Sequence, residues 1–286
     1  MIPLEPVTGH YLTLELDALA HRVYFEEAGT GIPLLCQHTA GAHGAQWRHV
    51  LASPAVTRNF RVIAYDLPYH GKSLPPEGKA WWSEEYRLTK SFLMQVPVAV
   101  ARALELDRPV YMGSSIGGHL ALDLASHHAD VFRAVIGLEA AAATPGTYLD
   151  IMNHPRVSNA FKASLMYGLT APTAPEPYRR ETEWVYSQGA PPVFKGDLYY
   201  YSIDHDMSDA ELAAIDTSQC AVHLLTGEYD YTTPLAVSKA AADRIPGAQF
   251  SSMEGLGHFP MCEDPDRFLA CLLPVLEKIR ALESAA

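Results

Sequence analysis

The distribution of apolar residues divides the chain into short runs separated by helix-like sequence. Alternating apolar and polar positions over 11–16 and 21–26 predict a β-hairpin at the edge of a sheet. Continuous apolar runs, which are typical of strands buried on both faces, occupy 33–37, 61–66, 109–114, 134–138 and 221–226, and the less apolar stretch 249–253 is a further candidate strand. Because helical sequence separates these runs, we expect an α/β fold with a mostly parallel central sheet and helices on both faces.

Two prolines fall inside predicted helices. Pro97 predicts that the helical stretch between about 83 and 106 consists of two pieces, because a proline in a helix interior removes a backbone hydrogen bond and crowds the preceding turn. Pro274 predicts a kink or a break in the last helix for the same reason.

One segment, 143–215, interrupts the alternation of strands and helices. It holds seven prolines and ten aromatic residues, a higher aromatic content than the 10% of the whole chain. We interpret it as a mostly helical insertion that covers part of the molecule. The expected organisation is therefore a core domain built from 1–142 and 216–286, with a lid formed by 143–215.

Composition and charge exclude several classes of protein. The 286 residues include 21 Lys and Arg against 33 Asp and Glu, and a net charge of −12 disfavours nucleic acid as a partner. No apolar run of about 18 residues occurs, so no membrane partner is expected. The four cysteines, which show no CxxC spacing, predict reduced thiols and a cytoplasmic location.

A candidate nucleophile lies in the sequence G-x-S-x-G at 113–117. An apolar run precedes this motif as a predicted strand, and a helix-like stretch follows it directly. A turn this sharp strains the backbone of its central residue, Ser115, and projects the hydroxyl into the open. The helix that begins next to it also favours developing negative charge.

A serine hydroxyl needs a base that takes its proton and an acid that orients the base. Among the 13 histidines, His258 lies in a glycine-containing loop between a predicted strand and the last helix. Asp230 follows the run at 221–226 and precedes a helix. Glu228 and Glu139, each close to the end of a predicted strand, are the alternative acids.

An oxyanion also needs hydrogen-bond donors. One donor is expected to be the backbone N–H of Ile116, the residue after the candidate nucleophile. The second is expected from the small, glycine-containing loop at 37–44, with Ala40 as the first choice and Thr39 as the next.

Together these motifs resemble the α/β-hydrolase superfamily over nearly the whole chain outside 143–215. His38-Thr39-Ala40-Gly41 stands where the family usually has His-Gly-x-Gly. The stretch 66–73 resembles the family's Asp-x-Pro-Gly-x-Gly-x-Ser loop, with Tyr69 in place of a glycine, which is expected to put a phenol near the mouth of the site. The resemblance implies the α/β-hydrolase fold, a Ser115–Asp230–His258 triad and a helical lid between the sixth and seventh strands.

A serine at this position of the family's motif implies acyl transfer to water and not the reactions of the aspartate-nucleophile branches. The leading hypothesis is a carboxylesterase that acts on a small to medium, fairly apolar ester, with this small molecule as its partner. The residues expected to contact the substrate are Thr39, Tyr69, Ser114, Met152, Trp184 and Phe259.

Three alternatives remain open. The first is a carbon–carbon bond hydrolase of ring-cleavage products, whose family members usually have an Asn before the serine, a Trp after the histidine and a lid arginine. Here those positions hold Ser114 and Phe259, and Arg179 or Arg180 could supply the arginine. The second is a lactone or thioester hydrolase, and the third is a ligand receptor with little turnover.

No cofactor and no metal are expected. The acidic and histidine cluster at 204–206 and the histidine pair at 127–128 lack convergent third and fourth ligands, so we expect both to lie at the solvated surface. The sequence does not indicate the oligomeric state.

Overall fold

The structure is a computed structural model that describes residues 5–283. Its strands form one eight-stranded sheet. The strands are β1 (Thr8–Leu16), β2 (Leu19–Ala28), β3 (Ile32–Gln37), β4 (Phe60–Tyr65), β5 (Val110–Ser114), β6 (Ala134–Leu138), β7 (Ala221–Gly227) and β8 (Gln249–Met253). All eight correspond to runs or alternations expected from the sequence, because each pattern follows from local burial.

The helices are α1 (Arg48–Leu51), α2 (Pro54–Thr57), α3 (Lys90–Ala103), α4 (Ile116–His127), α5 (Ala160–Gly168), α6 (Glu176–Ser187), α7 (Pro191–Tyr199), α8 (Asp209–Ala213), α9 (Leu235–Arg244), α10 (Pro260–Glu263) and α11 (Pro265–Glu283). Short 3₁₀ turns occupy Gly44–Trp47, Trp81–Ser83 and Asp150–Met152, and a π-helical turn occupies Tyr200–Asp204.

The expectation that Pro97 divides its helix is wrong. The helix α3 runs through Pro97, and α11 likewise continues through Pro274. Pro97 itself is buried between Val96 and Val98, and the helix packs against β1 and α4. Tertiary packing of the buried face therefore compensates for the hydrogen bond that the proline removes.

The strand order is β1-β2-β4-β3-β5-β6-β7-β8. The pairs β1–β2 and β2–β4 are antiparallel, and every other pair in the sheet is parallel. The predicted hairpin and the mostly parallel sheet are thus confirmed. Because parallel strands end at the same edge, the loops after β3, β5, β6, β7 and β8 gather there.

The central strands provide a rigid platform for those loops. Every residue of β5 and β6 is buried, because helices cover both faces of this part of the sheet. The edge strand β8, in contrast, buries only Met253 fully, which explains its polar sequence.

Helix α4 anchors both ends of the segment between β6 and β7. The Thr144 hydroxyl donates to His119 Nε2 at 2.9 Å, at the beginning of that segment. At its end, Asp123 Oδ2 accepts from the Tyr200 hydroxyl at 2.7 Å and from His205 Nδ1 at 2.9 Å. The expectation of a solvated His205 is therefore wrong, since this ring is buried and hydrogen-bonded to a buried carboxylate.

Helices α5–α8 all lie within 143–215, which we call the cap. The division of the chain into a core domain and a lid at these boundaries stays a prediction. Among the helices of residues 5–283, none combines the length and the apolar character that spanning a membrane requires.

Candidate active site

Ser115 occupies a strained turn between β5 and α4. Its φ is 58° and its ψ is −112°, a conformation that side-chain-bearing residues rarely adopt. A Cβ added at Gly113 would lie 2.5 Å from the backbone of Gly117, so the close crossing of strand and helix requires glycine. The expected strain at the centre of the motif is therefore present.

Ser115, His258 and Asp230 form one hydrogen-bonded chain at the carboxyl edge of the sheet. The Ser115 hydroxyl lies 3.0 Å from His258 Nε2, and His258 Nδ1 lies 2.8 Å from Asp230 Oδ2. Each of these three residues is only 5% exposed. This geometry sets a hydroxyl against the acceptor nitrogen of an imidazole whose other nitrogen donates to a carboxylate.

Asp230 is held as a carboxylate by neighbours that the sequence did not single out. Its Oδ1 atom accepts from the backbone N–H of Thr232 at 2.8 Å and from that of Thr233 at 3.0 Å. Burial alone would raise the pKa of Asp230, but the positive charge of a protonated His258 and these hydrogen bonds lower it to about 2. The carboxylate can therefore stabilise a positive charge on the imidazole.

Neither alternative acid contacts His258. Glu139 is fully buried and accepts from the Gly227 N–H at 3.1 Å, while burial and the nearby Asp230 charge raise its pKa well above the usual range. Glu228 accepts from the Gly255 N–H at 2.9 Å. Of the three candidate acids, Asp230 is the one within hydrogen-bond distance of the imidazole.

The register of the sheet brings together the two loops expected to supply the oxyanion donors. Gln37 at the end of β3 pairs with Gly113 of β5, so Ala40 and Ile116 each lie three residues beyond one aligned pair. Within residues 5–283, neither the Ala40 amide nor the Ile116 amide donates to a protein acceptor. Both N–H groups are therefore available to a ligand.

Thr39 is engaged by the protein itself. Its hydroxyl donates to Gln46 Oε1 at 3.1 Å and makes a short hydrogen bond with the Tyr186 hydroxyl, and its backbone N–H also donates to Gln46 Oε1, at 3.0 Å. Thr39 thus fixes the loop that follows β3 (residues 38–43, here the β3 loop), and its side chain is already occupied.

The structure directs Trp184 away from the buried side of the cap, and its contact with substrate stays a prediction. Trp184 is 66% exposed. On α6, the inward positions are Thr182, Val185 and Tyr186, a helical spacing that turns Trp184 to the opposite side. Tyr186 is the aromatic residue that this helix directs inward, and its ring lies 5.3 Å from Phe259.

Of the other residues expected to contact substrate, Phe259 and Ser114 adjoin triad residues, whereas Tyr69 and Met152 have other neighbours. Phe259 is fully buried with its ring 4.9 Å from that of His258, and Ser114 is fully buried with a hydroxyl that has no hydrogen-bond partner among the described residues. Tyr69, at φ 73°, packs its ring 4.8 Å from Tyr86. Met152 is half-buried against the hydrophobic core.

Glu263 is a buried carboxylate that sequence reasoning missed. It accepts from the backbone N–H of Gly257 in a short hydrogen bond and from that of Phe259 at 3.3 Å, the residues on either side of His258. It also accepts from the Ala171 N–H of the cap at 3.3 Å. Burial raises the pKa of Glu263 to about 7 against the opposing effect of these bonds. The one feature of the sequence that could have indicated this role is the position of Glu263, four residues after Phe259.

No group of three or more potential metal-ligating side chains converges anywhere in the described range 5–283.

A sequence model of the Alpha/beta hydrolase family matches residues 34–270, and the chain therefore belongs to this family. The 2-hydroxymuconate semialdehyde hydrolase of Pseudomonas sp. (strain CF600) is 25% identical over 270 residues, which cover 89% of this chain and 90% of that protein. The pimeloyl-[acyl-carrier protein] methyl ester esterase of Vibrio atlanticus is 22% identical over 280 residues, which cover 91% of this chain and 100% of that protein.

Among solved structures, a thermophilic esterase from Thermogutta terrifontis superposes with a TM-score of 0.79 at 21% identity, covering 94% of this chain and 99% of that chain. At this identity the likeness shows the fold alone. The resemblance drawn from the sequence motifs and the α/β-hydrolase fold that it implied are both confirmed.

Proposed function

We propose that this protein is a serine hydrolase, and most specifically a carboxylesterase that cleaves a small to medium, fairly apolar ester through an acyl-enzyme. The observation that carries the proposal is the hydrogen-bonded chain from the strained Ser115 through His258 to Asp230, at 3.0 Å and 2.8 Å. No cofactor is needed for this chemistry.

In the first half-reaction the Ser115 oxygen attacks the ester carbonyl carbon while His258 Nε2 takes the hydroxyl proton. The carbonyl π electrons move to its oxygen, which accepts hydrogen bonds from the Ala40 and Ile116 amides. The oxyanion then collapses, the bond from carbon to the leaving oxygen breaks, and His258 gives its proton to the departing alcohol. Asp230 stabilises the imidazolium throughout.

In the second half-reaction a water molecule replaces the serine as nucleophile. His258 takes one water proton as the water oxygen attacks the acyl carbon, and it returns that proton to the Ser115 oxygen when the acyl-enzyme bond breaks. The products are a carboxylic acid and the free enzyme. General base action of this kind contributes roughly 10²–10⁴-fold, and one oxyanion donor contributes roughly 10²–10³-fold.

The surroundings of the hydroxyl support an apolar substrate. The ring of Tyr186 packs against Phe194 at 6.0 Å and against Phe259 at 5.3 Å, and Phe259 in turn lies 4.9 Å from the imidazole of His258. Apolar walls of this kind favour acyl or alkoxy groups without charge, because an unpaired charge would be costly to bury among them.

A carbon–carbon hydrolase is the second candidate, and the sequence similarity to 2-hydroxymuconate semialdehyde hydrolase favours it. The two candidate arginines argue against it. Arg179 donates to Thr170 at 2.9 Å and its guanidinium lies over the Tyr167 ring, while Arg180 is 59% exposed and pairs with Glu176. Both cations already have partners on the cap. Lactone and thioester hydrolysis use the same chemistry as the leading proposal.

The two candidates differ in the bond that they cleave. We expect purified protein to hydrolyse p-nitrophenyl esters, with turnover that falls as the acyl chain lengthens, and to leave a vinylogous diketone of the ring-cleavage type intact. Cleavage of the diketone without turnover of any ester would overturn the esterase proposal in favour of the second candidate.

A fluorophosphonate probe tests the nucleophile separately from the substrate. We expect the probe to label Ser115, and Ser115→Ala to abolish both labelling and ester turnover. The surface variant Ser218→Ala is the matched control, because Ser218 is exposed and its hydroxyl donates to the exposed Asp216. Absence of labelling in the native protein would support the alternative of a receptor with little turnover.

A further inference from the structure

The cap contacts the β3 loop through a buried carboxylate, Asp197 of α7. Its Oδ2 atom accepts from the Gly41 backbone N–H at 2.6 Å and from His70 Nε2 at 2.7 Å, and its Oδ1 atom accepts from the Tyr86 hydroxyl at 3.3 Å. The Asp197 side chain is fully buried. Gly41 directly follows Ala40, so one cap side chain holds the peptide next to the proposed oxyanion donor.

His70 carries a positive charge in this arrangement. Its Nε2 donates to the Asp197 carboxylate, and its Nδ1 donates to the carbonyl of Pro68 at 2.9 Å. Both partners are acceptors, so both ring nitrogens must hold a proton. Burial is the largest single influence and by itself lowers the pKa of His70, but the charge and hydrogen bond of Asp197, the Pro68 carbonyl and the charge of Asp66 together raise it above the ordinary value.

The cap also restrains the β3 loop sterically. Gly41 has a φ of 66°, and a Cβ on it would overlap the ring of Phe194, which lies one turn before Asp197 on α7. On the other side, the carbonyl oxygen of Gly41 lies so close to Gly189 that a Cβ there would collide with it. Gly41 is thus confined on both faces by cap residues.

We propose that Asp197, charge-balanced by His70, is a positioning residue that fixes the β3 loop with the Ala40 N–H directed at the oxyanion formed on Ser115. The proposal rests on the proposed function. Holding the Gly41 N–H fixes the peptide plane between Ala40 and Gly41 and so restricts rotation of the Ala40 backbone. An oxyanion donor is effective only when preorganised, and a misplacement of about 1 Å costs roughly 10²-fold in rate.

The pairing of His70 with Asp197 makes kcat depend on pH. The ionisable groups that face His70 are Asp197, Asp66, His38, His43 and Tyr86. Of these, His38 is neutral, because its Nδ1 donates to the Thr39 carbonyl while its Nε2 accepts from the Leu67 N–H. When His70 loses its proton, Asp197 remains as a less compensated buried anion close to the place where the oxyanion forms. We therefore expect kcat to fall on the alkaline side.

The principal test compares Asp197→Asn with the matched cap variant Asp150→Asn. The side chain of Asp150 is 88% exposed and pairs with Lys195. Lys195 lies on α7, two residues before Asp197. Three quantities are measured: kcat and KM for a p-nitrophenyl ester, and the inhibition constant of an alkyl trifluoromethyl ketone, which forms a hemiketal oxyanion with the serine. Melting temperatures confirm that each variant is folded.

We expect Asp197→Asn to lower kcat by about 10–100-fold and to change KM by less than about threefold. The inhibition constant of the ketone should rise by a factor similar to the loss in kcat. Asp150→Asn should leave all three unchanged. A kcat for Asp197→Asn within about twofold of the native value, or a loss confined to KM with unchanged ketone affinity, would overturn the proposal.

The outcome separates the two proposals. If the native protein neither turns over esters nor reacts with fluorophosphonate, the proposed function fails. If the native protein does both and Asp197→Asn matches it, only the positioning role of Asp197 fails.

A second variant keeps the test decisive if Asp197→Asn does not fold. In His70→Gln the side-chain amide can still donate to Asp197 but cannot titrate. We expect native kcat to fall at alkaline pH and the kcat of His70→Gln to show no such fall over the same range. An identical alkaline limb in both proteins would contradict the role of the ion pair.

Discussion

Asp230 lies 2.8 Å from Nδ1 of His258, through its Oδ2 atom, although 28 residues separate the two along the chain. The carboxylate fixes which imidazole nitrogen carries the proton. With the Nδ1 proton directed at Asp230, the Nε2 atom presents a lone pair to Ser115. This relationship leads directly to the first prediction.

We expect Asp230→Asn to lower kcat by about 10⁴-fold, as the loss of the corresponding carboxylate does in serine proteases. The asparagine oxygen can keep the Thr232 and Thr233 amides, but its NH₂ group would face Nδ1 and force the proton onto Nε2. The matched variant Glu139→Gln replaces a carboxyl that does not contact His258 and whose pKa burial raises well above the usual range, and it should cost less than about tenfold. Steady-state ester kinetics distinguish the two. Equal losses in both variants would mean that the acid has been assigned to the wrong residue.

The strained backbone of Ser115 predicts a gain in stability when the side chain is removed. Glycine adopts a φ of 58° and a ψ of −112° easily, whereas alanine keeps the Cβ and therefore the strain. We expect Ser115→Gly to be more stable to thermal unfolding than Ser115→Ala by about 1 kcal/mol, while both lack activity. Differential scanning calorimetry of the two variants measures this. A glycine variant that melts below the alanine variant would show that the turn stores no strain.

Glu263 predicts a decline in stability with rising pH. Its pKa is about 7 in the folded protein against an ordinary value near 4.5. Between these values the unfolded chain releases the proton first, so the stabilisation is complete below the ordinary pKa and is lost as the pH rises through about 7. The loss amounts to about 3 kcal/mol, because each pKa unit corresponds to 1.36 kcal/mol.

The measurement compares melting temperatures at about pH 5 and about pH 8 in the native protein and in Glu263→Gln, whose side chain does not titrate. The native protein should lose roughly 5 °C more than the variant over this interval. The test is the change of melting temperature with pH and not the absolute melting temperature, since the amide also changes the hydrogen bonds to Gly257 and Phe259. Parallel slopes would show that Glu263 does not titrate in this range.

Sequence reasoning was accurate where the signal is local. Every strand was found because burial of a strand imposes a pattern on adjacent residues. The elbow at Ser115 was found because a strand and a helix that meet at a sharp turn need glycine at fixed offsets, as at Gly113. The failures had a different origin. The local preference of Pro97 for a helix break was overridden by tertiary packing of α3. His205 is buried because it hydrogen-bonds to Asp123, 82 residues away.

The amino-acid order by itself determined the strands, the strained serine and the family's motifs, since each depends on neighbours within a few residues. Only the folded chain decided which acid meets the imidazole, that Tyr186 and not Trp184 faces inward, and that Asp197 of the cap holds the loop beside Ala40. These contacts join residues that lie far apart along the chain. Their distances depend on how helices and sheet pack, and no short-range pattern of hydrophobicity encodes that packing.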